Sequence, residues 1–236
     1  MKILFLLPPS EGKNSGWIQW KEKLSFSFEK PIEIAENATE KDLKCKDKRY
    51  EEGVALNKNI MSSDKLPAIE RYSGVMYNAI DYEGMSDKGK DFFNSHFLIF
   101  SGMYGMVSPQ DIIGDYKLPI ETKWLYQYWW DIVPEAITSM KPDYIVNLLP
   151  ISYAKMIGLS TDCNRHKKKL EPILNVGTKV ININFLKPDG KKISHGVKKI
   201  KWQWIKDICD NGVIDFHQFW WKVVENGPVI DVNIVS

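Results

Sequence analysis

The sequence predicts an α/β fold, bordering on α+β, in which helices flank a mixed central sheet within a single compact domain. Three observations predict it. Continuous apolar runs recur at KILFLL (2–7), HFLIFSG (96–102) and DYIVNLLP (143–150), the pattern of strands buried on both faces. Stretches with helical apolar spacing lie among and after these runs, and such alternation marks helices layered on a sheet. A fourth run, KVININFLKPDGKKIS (179–194), alternates in polarity and carries Asp189-Gly190, a strong hairpin signal.

Taken in order, the first strand runs straight into Pro8-Pro9 and then into Ser10, Glu11, Gly12 and Lys13. Residues 36–66 are more polar and read as a charged helical excursion beside the sheet. The strand at 96–102 opens into SGMYGMVSPQDIIGDYKLP (101–119). Over 122–140, Trp124, Tyr128, Ile132 and Ile137 recur at near-helical spacing, and Pro134 is expected to kink or divide that helix. The strand at 143–150 carries Asn147 near its end. GVKKIKWQWIKDICDN and DFHQFWWKVVEN read as two further helices, the second with a core stripe of Phe216, Phe219, Trp220, Val223 and Val224.

Totals exclude several classes of function. The chain has 236 residues, 44% of them apolar, enough for a substantial core. Its net charge of +2 means that attraction to a polyanion must come from local clusters. Cys45, Cys163 and Cys209 are scattered and odd in number, which argues against a disulfide framework or zinc site and fits a reducing cytoplasm. The 4 histidines form no H-x-x-x-H pair, so no metal is expected. No cofactor or obligate protein partner is signalled. The N-terminal apolar run is too short for a membrane span, and no other stretch is long enough, so a soluble cytoplasmic protein without membrane contact is expected.

Ligands of open α/β sheets gather where loops converge at the carboxyl ends of the strands. Candidate residues there are Ser10, Glu11 and Lys13 after the first strand, Ser101, Tyr104, Asp111 and Asp115 after the second, and Asn147. Gly12-Lys13 is not a Walker A motif, whose spacing is different. On the helix near 195, His195, Lys198, Lys201 and Trp202 share a face opposite Val197, Ile200, Trp204 and Ile208. That face suits either solvent or a phosphate-contacting ridge with a stacking indole. A second basic cluster, RHKKK, occupies 165–169.

These motifs together resemble the YaaA family. The matching pieces are PPSEGK, YSGVMYNAID (72–81), FSGMYGMVSPQDIIGDYKLP (100–119), LYQYWWDIV (125–133), YIVNLLPISYAKMI (144–157) and KKISHGVKKIKWQWI (191–205). The resemblance implies an α/β domain with a positively charged cleft that binds DNA, a link to peroxide stress, and a helix-hairpin-helix-like element mapping to 36–66. Where the family usually has Arg-Gly, this chain has Lys201-Trp202.

Carboxylates among phosphate-binding lysines suit a site where charge develops or water is activated. Tyr77, Tyr104 and Trp202 offer stacking surfaces, and Asn78 and Asn147 offer amides for a base edge. This inventory leads to the expectation of a DNA N-glycosylase, with a flipped base in a pocket and Glu11 or Asp111 as the catalytic carboxylate. Asp111 equally suits a turn or helix cap, and Glu11 a surface turn. Two other functions fit the same residues: a non-catalytic DNA-binding or DNA-protecting protein, and an enzyme acting on free nucleotides or nucleosides.

Overall fold

The computed structural model describes residues 1–17, 28–159, 173–174, 176–186, 197–211, 222–226 and 229–235. Its strands are β1 (Ile3–Leu7), β2 (Lys65–Pro67), β3 (Phe97–Ser101), β4 (Gly105–Val107), β5 (Ile112–Gly114), β6 (Tyr144–Asn147), β7 (Lys179–Leu186), β8 (Lys222–Asn226) and β9 (Val229–Val235). Among the described residues, seven of them form one sheet in the order β4-β3-β1-β6-β7-β9-β8, while β2 and β5 form a small antiparallel sheet. Strands β3, β1, β6, β7 and β9 run parallel, with β4 and β8 antiparallel at the two edges. The sheet is therefore mixed, and the fold is α/β.

Strand β1 lies inside this sheet, and all five of its residues are buried. Phe5 is in register with Phe97 on one side and Val146 on the other. That double burial is why its sequence is apolar throughout rather than alternating. From β1 the chain first builds outward to β3, then returns to the opposite side of β1 for β6, β7 and β9. The reversal leaves a topological switch point between β1 and β6, where the loops leaving the two strands diverge.

The polar stretch at 36–66 contains helices α2 (Glu40–Leu43) and α3 (Asp47–Lys58), preceded by α1 (Glu29–Glu36). Helix α2 opens with a reciprocal capping box: the Asp42 N–H donates to Thr39 Oγ1 at 3.4 Å and the Thr39 N–H donates to Asp42 Oδ2 at 2.9 Å. It delivers Leu43 into the core at 0% exposure. Thr39→Ala should lower stability by about 1 kcal/mol in urea unfolding.

Short helices α4 (Ala68–Arg71) and α5 (Val75–Ile80) precede α6 (Asp87–His96). Helix α7 (Leu125–Met140) is a single element with Pro134 inside it, so of the expected kink or division the division does not occur. Pro134 is buried with Leu125, Trp129, Val133 and Ile137, and this apolar face packs the helix across the missing N–H. Trp129 is fully buried and its indole N–H donates to the Gly102 carbonyl at 2.8 Å. Gly102 itself has no room for a side chain, since a Cβ would lie 1.9 Å from the Leu118 carbonyl oxygen.

Helix α8 (Ile151–Ala154) follows β6, and α9 (Val197–Asn211) packs on α5 and α6. Lys206 of α9 pairs with Asp81 at 2.5 Å, and Asp210 Oδ1 accepts from the Ser86 N–H and hydroxyl at 2.8 Å. One helix expected from the sequence is corrected: Val223 and Val224 lie on β8, paired with Val232 and Asp231 of β9. Two β-branched valines in sequence favour a pleated surface. Phe216, Phe219 and Trp220 lie outside the described residues, as does Asp189-Gly190. Both edges of β7 are taken by parallel neighbours, β6 and β9.

Candidate functional site

The loop after β1 is held in place by backbone bonds to the segment at 70–73 and by the Arg71 side chain. The Ser73 N–H donates to the Gly12 carbonyl at 2.9 Å and the Asn14 N–H to the Arg71 carbonyl at 2.8 Å, with Lys13 and Tyr72 forming an antiparallel bridge. Pro8 and Pro9 end the β1 ladder because they lack an N–H. The Pro8 carbonyl still accepts from the Tyr77 hydroxyl at 3.0 Å. Arg71 clamps the far side of the loop: its guanidinium donates to the carbonyls of Asn14, Gly16 and Asp64.

This loop forms one wall of a cavity of about 250 Å³. Ser10, Glu11 and Lys13 line it from the β1 side, Tyr153 from α8 after β6, and Leu43 and Lys44 from the end of α2. Tyr116, Lys117 and Glu121 come from the segment after β5. The cavity therefore sits where the diverging loops of β1 and β6 open, at the switch point. A smaller cavity of about 170 Å³ shares Glu11, Lys13, Tyr116 and Lys117 and adds Arg49 and Asp115.

Beneath the cavity lies a chain of buried hydroxyls. Tyr116 Oη is 2.7 Å from both Tyr72 Oη and Ser101 Oγ, and Ser101 Oγ accepts from the Tyr104 N–H at 2.9 Å. Burial pushes the phenols of Tyr72, Tyr77, Tyr116 and Tyr153 well above their ordinary range, so they stay neutral at physiological pH. They can donate hydrogen bonds there but do not supply negative charge.

The charged groups are arranged in pairs. Glu11 is bonded to Lys117 and lies 3.5 Å from Arg49. The Lys117 hydrogen bond, then its charge, holds the Glu11 carboxyl below the usual range, so it is ionised at neutral pH. Lys44 pairs with Glu121 at 2.8 Å. Lys13 differs: its side chain is only 5% exposed and its nearest carboxylate, Asp115, is 3.7 Å away. Its ammonium donates to the Tyr116 carbonyl at 2.7 Å and stands 4.4 Å from the centre of the Tyr116 ring. Burial, partly offset by Asp115, brings its pKa down from 10.5 to about 8.

Of the residues singled out from sequence, Ser10, Glu11 and Lys13 meet at the cavity, and Ser101 lies beneath it. Asp111 accepts from the Ser108 N–H at 2.8 Å and closes a turn; it does not line the cavity. Tyr77 is buried against Tyr72, and Tyr104 is 2% exposed, with its hydroxyl accepting from the Gly114 N–H at 3.0 Å. Asn78 is exposed on α5. Asn147 donates to Asn182 Oδ1 at 2.9 Å and accepts from the Leu149 N–H at 3.1 Å. Trp202 is 5% exposed and packs in the core with Trp204, Ile205 and Ile208, rather than on a polar ridge. The backbone at Lys198 and Lys201 is helical, and His195 lies outside the described residues, as does the 165–169 cluster.

The sequence reading missed Lys117, Tyr116, Tyr153, Lys44 and Arg49 as members of the site. Tyr116 and Lys117 were within reach, since both fall inside the matching stretch at 100–119. Lys44 and Arg49 arrive from the polar excursion only through tertiary packing. Among the described residues, no group of three or more His, Cys, Asp or Glu is placed to hold a metal, and no helix is long and apolar enough to cross a membrane.

Fold and site together define an α/β protein with an ion-paired cavity at the switch point of its parallel strands. A profile of the family described as peroxide stress protein YaaA matches residues 2–220, and the chain belongs to that family. It is 34% identical over 170 residues to a UPF0246 protein of Clostridioides difficile, covering 66% of this chain and 68% of the relative. A UPF0246 protein of Finegoldia magna is 33% identical over 116 residues, covering 48% of this chain and 46% of that protein. One of Rickettsia conorii is 28% identical over 165 residues, covering 65% of this chain and 61% of its own length. The chain thus spans less than two thirds of two of these three relatives.

Proposed function

We propose that the protein is a DNA-binding member of the peroxide stress family that seats the phosphate backbone at the rim of the switch-point cavity. The observation that carries this reading is the convergence of Lys44, Lys117 and Arg49 on two adjoining cavities. Phosphate oxygens can take over or share ammonium groups now paired with Glu11 and Glu121, releasing counterions from the DNA. In a test by fluorescence anisotropy, affinity for a labelled duplex should fall steeply between about 50 and about 200 mM salt. Lys44→Ala and Lys117→Ala should each flatten the log–log slope by about 0.9, the loss of one phosphate contact. Salt-insensitive binding, or preference for free nucleotides over the duplex, would overturn it.

A second reading rests on one further observation, the ionised Glu11 carboxylate beside Ser10 in the cavity wall. A carboxylate held charged there suits stabilisation of an oxocarbenium-like sugar as an N-glycosidic bond breaks. Release of free base from DNA, measured by mass spectrometry and lost in Glu11→Gln with binding retained, would support glycosylase chemistry. Release unaffected by Glu11→Gln would remove Glu11 from it.

A further inference from the structure

We propose that Lys117 and Arg49 form a binding site for a terminal phosphate monoester, the group that ends a DNA strand, and that the Glu11 carboxylate holds this site until the phosphate displaces it. This rests on the DNA-binding reading above and names the group that enters where the two cavities adjoin.

The ammonium of Lys117 is placed by the fold rather than left to solvent. Its backbone N–H donates to Asn57 Oδ1 and its carbonyl accepts from Asn57 Nδ2, both at 2.9 Å, and Asn57 is fully buried on α3. One turn earlier on that helix, Gly53 leaves room for the Lys117 stem: a Cβ there would lie 2.9 Å from Lys117 Cδ. Glycine is unfavourable inside a helix, and this crossing gives a reason for its presence. The stem thus passes over α3 and delivers an ammonium, on a side chain only 15% exposed, to both cavities.

Charge then selects the ligand. Around the site, Lys44 pairs with Glu121 at 2.8 Å, Lys13 faces Asp115 at 3.7 Å and Lys48 faces Glu52 at 3.8 Å. Lys117 and Arg49 share a single carboxylate oxygen, Glu11 Oε1. Two cations therefore meet one negative charge. A phosphodiester or a second carboxylate carries only one charge and would replace Glu11 without gain. A phosphate monoester carries about −1.5 to −2 at pH 7, with three acceptor oxygens, and satisfies both cations. The Glu11 side chain is 69% exposed and gives way readily, because a solvated ion pair contributes little. Reach points the same way. An internal phosphate is flanked by two sugars, whereas a strand end can bring its phosphate down to a lysine set back in the wall.

The test uses the full chain and hairpin duplexes labelled in the loop, alike except that the single end carries a 5′-phosphate, a 3′-phosphate or hydroxyls alone. In fluorescence anisotropy a phosphate-ended hairpin should bind at least about tenfold more tightly than the hydroxyl-ended one. Lys117→Ala should remove that preference while keeping both backbone bonds to Asn57. Gly53→Ala should weaken it by pushing the Lys117 stem aside, although alanine favours the helix. Glu11→Gln should tighten binding of the phosphate-ended hairpin by about two- to fivefold, since the competing carboxylate is gone. Equal affinity for all three hairpins overturns the phosphate site and leaves the DNA-binding reading standing. Weaker binding by Glu11→Gln overturns the displacement. If none of the hairpins binds, the DNA-binding reading falls, and calorimetry with thymidine 5′-monophosphate decides the site. Uptake that Lys117→Ala abolishes keeps the phosphate site for free nucleotides, and no uptake overturns it as well.

Discussion

Arg71→Ala should lower the unfolding free energy by about 3–5 kcal/mol and release the loop that carries Ser10, Glu11 and Lys13. Arg71 is 2% exposed, and its guanidinium is the shared donor for the carbonyls of Asn14, Gly16 and Asp64. Truncation leaves three acceptors without that partner, each worth about 1 kcal/mol or more when buried, and opens a void where the side chain packed. Arg71→Lys should recover only part of the loss, because a single ammonium cannot reproduce a planar fork reaching three acceptors. Urea unfolding measures the stability change. Hydrogen exchange at the Asn14 amide, bonded to the Arg71 carbonyl, reports on the loop itself. A loss below about 1 kcal/mol with unchanged exchange would show that the loop is held by its backbone bonds alone.

Lys13→Met should abolish a rise in stability with pH that the unaltered protein shows above pH 8. Folded Lys13 gives up its proton at about pH 8, whereas the unfolded chain holds it to 10.5. Between those values the unfolded state binds more protons, so stability increases with pH, by up to about 3 kcal/mol at 1.36 kcal/mol per pKa unit. Below pH 8 the folded protein carries the full cost of a buried cation, and there Lys13→Met should be the more stable of the two. The buried phenols of Tyr72, Tyr77, Tyr116 and Tyr153 act in the opposite sense above pH 10, since folding raises their pKa values. They are common to both proteins and drop out of the difference. Urea midpoints measured from pH 7 to 10 test this, and parallel curves for the two proteins would show that Lys13 is not held as a buried amine.

The parts legible in the sequence are those where burial leaves a continuous mark. Strands β1, β3 and β6 are apolar because both faces are covered, and α9 shows its helical period in Trp204 and Ile208. Strands β2, β4 and β5 are three residues each, too short to carry an alternation. The stripe of Phe216, Phe219 and Trp220 led Val223 and Val224 to be read as helix, although two adjacent valines favour a strand. At the site, Ser10, Glu11 and Lys13 were legible because they follow a strand at its carboxyl end. Trp202 was not, because a helix with apolar groups at 202, 204, 205, 208 and 209 buries a broader face than a two-sided reading allows. Leu43 and Lys44 reach the cavity through the packing of a polar segment, which no local spacing encodes.

The central place of β1 also imposes an order on events at the ribosome. Phe5 finds its sheet partners at Phe97 and Val146, so the segment is made long before either neighbour exists. At about 5–20 residues per second, the wait for β6 is on the order of ten seconds. Until β3 is made the nascent chain displays Ile3, Leu4, Phe5, Leu6 and Leu7 without either sheet partner, and until β6 is made one edge of the strand stays open. Chaperone occupancy of nascent chains should therefore begin early on this segment and end once residues near 147 have cleared the exit tunnel.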